Sequence, residues 1–226
     1  MKEKIILMNK EIINNQAEEH YNRIRTNIQF SGSDMKTILI TSTKESEGKS
    51  SVSLNLAVAF AKIGANVLLI DADIRNSILV GRVKAKQKIN GLTSYLSGVS
   101  TIEETIYGTD IENLDIIPSG KYSPNPTNLL QNSKIDKMLE IFKEVYDYII
   151  VDTAPIGLVV DAAILAKKCD GAILVTEAGR IQKKQLKKAK QDIELTGIKF
   201  LGIILNKVDE STLSYGHYGG YGRYGN

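Results

Sequence analysis

The chain of 226 residues carries 29 Lys and Arg against 26 Asp and Glu, a formal net charge of +3, with 42% hydrophobic and 24% charged residues. That balance describes one soluble globular domain with appendages, and it excludes a disordered or fibrous chain and a protein that holds nucleic acid through overall charge. One cysteine, Cys169, excludes an internal disulfide and a cysteine-built zinc site; no apolar run approaches the ~18 residues of a membrane span, and MKEKIILMNKE makes no secretory signal, so a cytoplasmic location is expected.

In chain order, residues 1–36 are polar and hold one helical candidate, Gln16–Phe30, in which Tyr21, Ile24 and Ile28 share a face that wants a partner, such as another subunit; Gly32 and Asp34 end it. From residue 37, strand-like runs at 37–41, 66–70, 114–117, 148–151, 171–176 and 200–205 alternate with helical stretches at 50–63, 133–145, 158–168 and 181–195. Strands rich in Ile, Val and Leu alternating with helices predict a doubly wound α/β domain over residues 37–210, its mostly parallel sheet covered on both faces. Between residues 77 and 132 the pattern is less regular and includes three of the four prolines, which reads as an insertion at the carboxyl edge of the sheet. Arg180 and lysines 183, 184, 187, 188 and 190 crowd one helical stretch; they read as a solvated face, or else as a surface near anionic lipid or phosphotyrosine. The last stretch, 211–226, has no aliphatic residue after Leu213 and is rich in glycine, so a disordered tyrosine-rich tail is expected.

The first strand of the domain runs into Thr43-Lys44-Glu45-Ser46-Glu47-Gly48-Lys49-Ser50-Ser51 and then a helix. This is the strand, loop, helix context of a phosphate-binding loop, although Thr43 stands where that pattern has its first glycine. Backbone N–H groups of Glu47, Gly48, Lys49, Ser50 and Ser51 and the helix N-terminus would surround phosphate oxygens, with Lys49 reaching the β- and γ-phosphates and the Ser50 hydroxyl binding Mg2+. The next strand delivers Asp71 and Asp73, which alternation puts on one side of the chain, and YDYIIVD delivers Asp152 in the manner of a Walker B strand. Singly, each is an ordinary turn residue. Three at adjacent strand ends beside a GKS sequence concentrate negative charge that a cation makes tolerable, which puts Asp73 and Asp152 with Ser50 at the metal.

Asn206-Lys207-Val208-Asp209 spells the NKxD of GTPases and places Asn206 at the nucleotide, but Asp152 begins DTAP rather than DxxG and Asp71-x-Asp73 has no GTPase counterpart, so ATP is favoured over GTP. Tyr215, Tyr218, Tyr221 and Tyr224 recur every third residue, a spacing that builds neither a helix face nor a strand face. Beside an Mg2+·ATP site that lacks the glycine-rich loop, VAIK and HRD set of eukaryotic-type kinases, they read as phosphate acceptors. A phenol with a pKa near 10 benefits from a carboxylate that takes its proton, a role open to Asp71 or Asp73.

The combination of TSTKESEGKSS, LLIDADIRNS, YDYIIVDTAPIGLVVDAA, FLGIILNKVDES and the terminal YGHYGGYGRYG resembles the bacterial tyrosine kinases of capsule and exopolysaccharide operons, in their streptococcal type. GLTSYLSG and the PSGK and PNPTNLLQN segments are similar too, so the likeness covers nearly the whole chain. The resemblance implies a P-loop NTPase type of fold and an ATP- and Mg2+-dependent protein-tyrosine kinase that phosphorylates its own tail between subunits of a homo-oligomer, in polysaccharide synthesis and export. It implies a membrane-embedded adaptor of the chain-length regulator kind that activates the kinase and recruits it to the inner face of the membrane, and a cognate tyrosine phosphatase. By the same likeness Lys49 and Ser50 are the phosphate and Mg2+ residues, Asp71 and Asp73 the Walker A′ carboxylates with Asp71 the proton acceptor, and Asp152 the Walker B carboxylate.

Two positions depart from the family pattern. Ser46 stands where many relatives have glycine, and Glu19-His20-Tyr21-Asn22-Arg23-Ile24-Arg25 keeps Glu19 and Arg25 of a Glu-x-x-Arg-x-x-Arg subunit-contact motif but has Asn22 at the first arginine. Two other readings stay open: a dimerising ATPase switch of the MinD/ParA kind that transfers phosphate only to water, and an export-assembly component whose kinase activity is secondary.

Overall fold

Period-two runs of Ile, Val and Leu, too apolar on both faces for a sheet with one side in water, decide the centre of this molecule. The computed structural model describes residues 5–7, 15–79, 83–84 and 89–208. In chain order its strands and α-helices are β1 (Ile6–Leu7), α1 (Asn15–Gln29), β2 (Thr37–Ser42), α2 (Lys49–Ala61), β3 (Val67–Asp71), β4 (Val83–Lys84), α3 (Leu92–Leu96), β5 (Tyr107–Gly108), β6 (Leu114–Ile117), α4 (Pro126–Leu130), α5 (Lys134–Val145), β7 (Tyr148–Asp152), α6 (Asp161–Ala166), β8 (Gly171–Glu177), α7 (Lys183–Glu194) and β9 (Lys199–Asn206). Seven strands form one sheet in the order β5-β6-β3-β7-β2-β8-β9. Every pairing in it is parallel except that of β5 with β6.

Alternate side chains of each strand feed two cores. Ile38, Ile40, Leu69 and Ile150 point to the side of α2, with Ile28 of α1 in the same cluster. Leu39, Leu68, Val151 and Leu174 point to the side of α5, α6 and α7, which contribute Phe142, Leu165 and Ile193. Helix α2 is buried along nearly its whole length, sandwiched between the sheet and α1, which is why its sequence KSSVSLNLAVAFA is apolar on every side. The face of α1 that wanted a partner finds α2 of its own chain.

Helices lie on both sides of a parallel sheet whose chain leaves β2 towards β3 on one side and reaches β8 on the other, the doubly wound arrangement expected from the sequence. Such sheets collect ligands at the carboxyl ends of the central strands, here β2, β3 and β7. Two features were not signalled by periodicity. Residues 5–7 return to the β5 edge, where β1 pairs antiparallel with β4, Ile5 donates its N–H to Gly108 O at 2.9 Å, and its side chain is buried. Helix α6 starts at Asp161, not at 158, because Ile156 N–H bonds Ser42 O at 2.9 Å and Gly157 is pressed so close to Thr43 that a Cβ would lie 2.2 Å from its carbonyl oxygen.

Candidate functional site

The loop between β2 and α2 is held from within. Glu47 is buried and turns its carboxylate back under the loop: Thr43 N–H donates to it at 2.7 Å, Lys44 N–H at 2.8 Å, and the hydroxyls of Thr43 and Thr176 add bonds at 2.8 and 3.0 Å. From the edge of the sheet, Asn206 donates to Glu47 O at 3.0 Å and Lys207 Nζ to Ser46 O at 2.7 Å, with Glu177 holding the lysine at 3.1 Å. Asn206 and Lys207 thus brace the loop, and Asp209 lies outside the described residues. Gly48 has φ 91°, and a Cβ there would sit 2.0 Å from the Asn206 amide, so only glycine closes this turn. Ser46 adopts φ 63°, a left-handed backbone that glycine would take without strain. Ser50 and Ser51 fall in the first turn of α2, where free N–H groups and the helix dipole favour an anion.

Opposite this loop the ends of β3 and β7 bring the aspartates together. Asp71 and Asp152 are register partners across the two strands, and both are fully buried. Lys49 Nζ pairs with Asp73 Oδ2 at 2.8 Å and lies 3.4 Å from Ser50 Oγ. Ser53, one turn along α2 from Lys49, places its hydroxyl 2.9 Å from Lys49 O and 3.1 Å from Asp152 Oδ1. Asp71 Oδ2 accepts from the Ser77 hydroxyl, and Asp73 Oδ1 accepts from Asn76 N–H at 3.1 Å.

Burial, reinforced by Asp152, pushes the Asp71 carboxyl up to about 7, against the hydrogen bond from Ser77. Burial likewise raises Asp152, opposed first by Lys49. Burial works against charge on Lys49, yet Asp152, Asp73 and Asp71 together hold its proton more tightly than an ordinary lysine does. Three carboxylates share one ammonium, and Asp152 Oδ2 is buried with no hydrogen-bond partner. An orphaned carboxylate oxygen beside a serine hydroxyl and a phosphate loop fits a hydrated divalent cation that arrives with a nucleotide. Among the described residues no three His, Cys, Asp or Glu side chains form a group that could hold a metal ion by themselves.

Sequence reasoning missed the groups that hold this centre in place. Arg75 grips Asp161 with Nε at 2.6 Å and Nη2 at 3.0 Å, and reaches the Thr127 hydroxyl at 2.8 Å, so it ties the loop after β3 to the starts of α6 and α4. Ser53 carried a usable signal, its i,i+4 spacing from Lys49 on one helix; Ser77 and Thr176 carried none. The N-terminal helix keeps Arg25 at home: Nη1 bonds Asn22 Oδ1 at 3.0 Å and Ala59 O at 3.1 Å, while Glu19 is exposed. A groove of about 590 Å3 between α1 and β9, lined by Tyr21, Ile24, Val52, Ile203 and Leu205, ends at Asn206. The tail tyrosines 215, 218, 221 and 224 lie outside the described residues.

A family model described as an AAA domain matches residues 35–196. The chain is 55% identical to tyrosine-protein kinase CpsD of Streptococcus agalactiae over 208 residues, 92% of this chain and 91% of that protein. Among solved structures it is similar to the chimerical protein CapA2B2, with a TM-score of 0.81 and 31% identity over 92% of this chain and 94% of that one. It is also similar to the kinase domain of the Escherichia coli tyrosine kinase ETK, with a TM-score of 0.80 and 28% identity over 96% of this chain and 87% of that one.

Proposed function

The chain belongs to the bacterial tyrosine-protein kinases, enzymes on a P-loop NTPase fold, and from that membership we propose that it transfers the γ-phosphate of ATP to Tyr215, Tyr218, Tyr221 and Tyr224 of a second copy of itself. The observation that supports this reading is a coincidence in space. Strand β9 is parallel to β8 and ends at Asn206 against the P-loop, so the last described residues before the tail lie on the same rim that carries Lys49, Asp71, Asp73 and Asp152.

When bound, Mg2+·ATP supplies the transferable phosphoryl group and a metal charge set against it. On this chain, Ser50, Asp73 and Asp152 would hold the cation, and Lys49, which pairs with Asp73 at 2.8 Å, stands beside them within reach of phosphate oxygens. Lys49 neutralises charge on the group in transit. Asp71 takes the phenol proton: burial raises its proton affinity to about 7, near the working pH of a general base. Ser77 fixes the orientation of that carboxylate. The bond from γ-phosphorus to the bridging oxygen breaks, the bond to the tyrosine oxygen forms, and ADP leaves.

Transfer in trans follows from approach. A phenol must enter in line with the phosphoryl group, and a glycine-rich segment anchored beside the same site has few conformations that double back. By family membership we extend the proposal to a role in capsule or exopolysaccharide production, to a membrane-embedded adaptor that recruits the kinase to the inner face of the membrane, and to a cognate phosphatase. No described helix is long and apolar enough to cross a membrane. The test mixes a Lys49→Met chain that keeps its tail with an active chain truncated after Ser214, in labelled ATP and Mg2+. Label on the Lys49→Met tail is expected, and unlabelled GTP competes poorly. Labelling of full-length active chains alone, at a rate independent of concentration, sinks the trans step.

A further inference from the structure

Helix α7 breaks two rules of helix stability on its outward face. It packs inward through Leu186, Ala189 and Ile193. Lys183, Lys184, Lys187 and Lys188 are all exposed, and none has an ion pair among the described residues. At 100° per residue they occupy a stripe about 140° wide. Lys183 with Lys187 and Lys184 with Lys188 are like charges at i,i+4, each pair unfavourable by about 0.2–0.5 kcal/mol. The first turn contains no acid, so its two lysines face the positive end of the helix dipole. The carboxylates of the helix relieve only part of this: Glu194 pairs with Lys190 at 3.3 Å, and Asp192, half-buried on the flank, is the one acid at i+4 from a lysine of the stripe, Lys188. Arg180, just before the helix, is held by Glu177 at 3.1 Å. Leu195 continues the turn in helical geometry on the same stripe and is 84% exposed.

We propose that this face, Lys183, Lys184, Lys187 and Lys188 with Leu195 at its end, docks directly on an anionic bilayer, a lipid contact of its own beside the one the adaptor provides. A negative surface relieves the repulsion that the isolated helix carries, and a polybasic row near such a surface gains about 1 kcal/mol per lysine. The shape selects lipid over a phosphorylated peptide. A convex helix face offers no pocket, and its charges are flexible ammonium groups, whereas phosphate on a peptide is gripped by guanidinium forks. A protruding leucine in line with lysines fits the boundary between headgroups and acyl chains, which a phosphopeptide lacks. Helix α7 joins β8 to the parallel β9 and so runs along the flank of the molecule from the nucleotide rim to the opposite rim, and docking through it leaves Lys49, the aspartates and the end of β9 open to a second copy.

The test uses the full chain and sedimentation with vesicles of phosphatidylcholine alone or with about 30% phosphatidylglycerol at ~0.1 M salt. The wild type is expected to bind only the anionic vesicles and to be released at high salt. Replacing all four lysines by glutamine is expected to weaken binding ~10^3-fold, from about 1 kcal/mol per lysine, and Leu195→Gln about 10-fold, from the transfer energy of one buried leucine. Both variants should keep the wild-type rate of tail phosphorylation in free solution, which shows that they fold, and the quadruple variant should melt higher. Failure of the wild type to bind, equal binding to neutral vesicles, or binding indifferent to the lysines overturns the proposal, and so does indifference to Leu195→Gln. A phosphorylated 211–226 peptide that binds the wild type, spares the quadruple variant and leaves vesicles unbound also overturns it and assigns the face to the tail.

Discussion

Glu47 and Asp152 are both buried carboxylates beside the P-loop, and they are opposites in every other respect. Glu47 receives two backbone N–H groups and two hydroxyls, all fixed by β2, β8 and the loop itself. Asp152 keeps one oxygen without a partner and shares Lys49 with Asp73 and Asp71. A carboxylate whose lone pairs are met by rigid donors is architecture: it shapes the loop and has nothing left for a ligand. A group of carboxylates left short of donors and cations stores repulsion that a ligand can relieve, and the protein has given up stability there to be ready for one.

The largest effect that separates the two regions is on catalysis. Lys49→Met should lower tail phosphorylation by at least ~10^3-fold, the scale of losing a charge aimed at a transition state, and should abolish thermal stabilisation by Mg2+·ATP while the fold persists. Retained phosphorylation in a pure preparation would remove Lys49 from the site. Next comes acid–base behaviour. The Asp71 carboxyl is raised in the folded state to about 7, so its neutral form is favoured there, and the stability it allows at low pH is lost as pH rises. The nucleotide-free protein should therefore weaken between about pH 4 and about pH 7, by up to about 4 kcal/mol from this group, with Asp152 acting in the same direction. Asp71→Asn should flatten that slope, raise the melting temperature above pH 7, and cost ~10^2–10^4-fold in phosphorylation. Denaturant titrations across this range decide it; a slope unchanged by Asp71→Asn places the repulsion elsewhere.

How legible each region was follows from the same contrast. The aspartates could be read because they end strands whose apolar runs VLLI and YIIV are unmistakable, and alternation then fixes which side Asp71 and Asp73 share. The sheet and its four long helices came from the same patterning. The bracing of the P-loop could not be read. Glu47 donates nothing to a pattern, and its partner Thr176 lies 129 residues away on a strand whose register with β2 no local signal sets. Arg75 and Asp161 meet across 86 residues for the same reason. The short elements between residues 77 and 132 depend on backbone contact, as where Gly91 meets Gly120 so closely that a Cβ would lie 2.3 Å from its nitrogen.

Glu47→Gln probes the architectural side. The amide oxygen keeps the Thr43 and Lys44 N–H groups and the NH2 turns to the Thr43 and Thr176 hydroxyls, which must then accept; four charge-assisted bonds become neutral ones, so about 2 kcal/mol of stability should be lost. The denaturation midpoint should fall with an unchanged m-value, because the folded core is the same. Nucleotide affinity should fall with it, whereas the pH slope assigned to Asp71 should stay. A Glu47→Gln protein as stable as the wild type would show that the loop holds its shape without the internal clamp.

The smallest expected effect tests whether the clamp holds a strained backbone. Ser46 sits at φ 63°, a left-handed conformation that a residue with a Cβ adopts at a penalty of roughly 1 kcal/mol. Ser46→Gly removes that penalty but adds backbone freedom to the unfolded chain, an opposing term of about 0.5–1 kcal/mol. The net change should be a stabilisation of no more than about 0.5 kcal/mol. Phosphorylation should stay within about two-fold, since the carbonyl that accepts the Lys207 ammonium at 2.7 Å is kept by any residue. Ser46 is exposed and Gly48 is not free to change, so the two positions differ although both have positive φ. At position 48 a Cβ meets Asn206, whereas the side chain at 46 is exposed. Loss of more than about 1 kcal/mol in Ser46→Gly would mean that the loop relies on serine to stay closed. The four donors to Glu47 would then be an insufficient account of what fixes the P-loop.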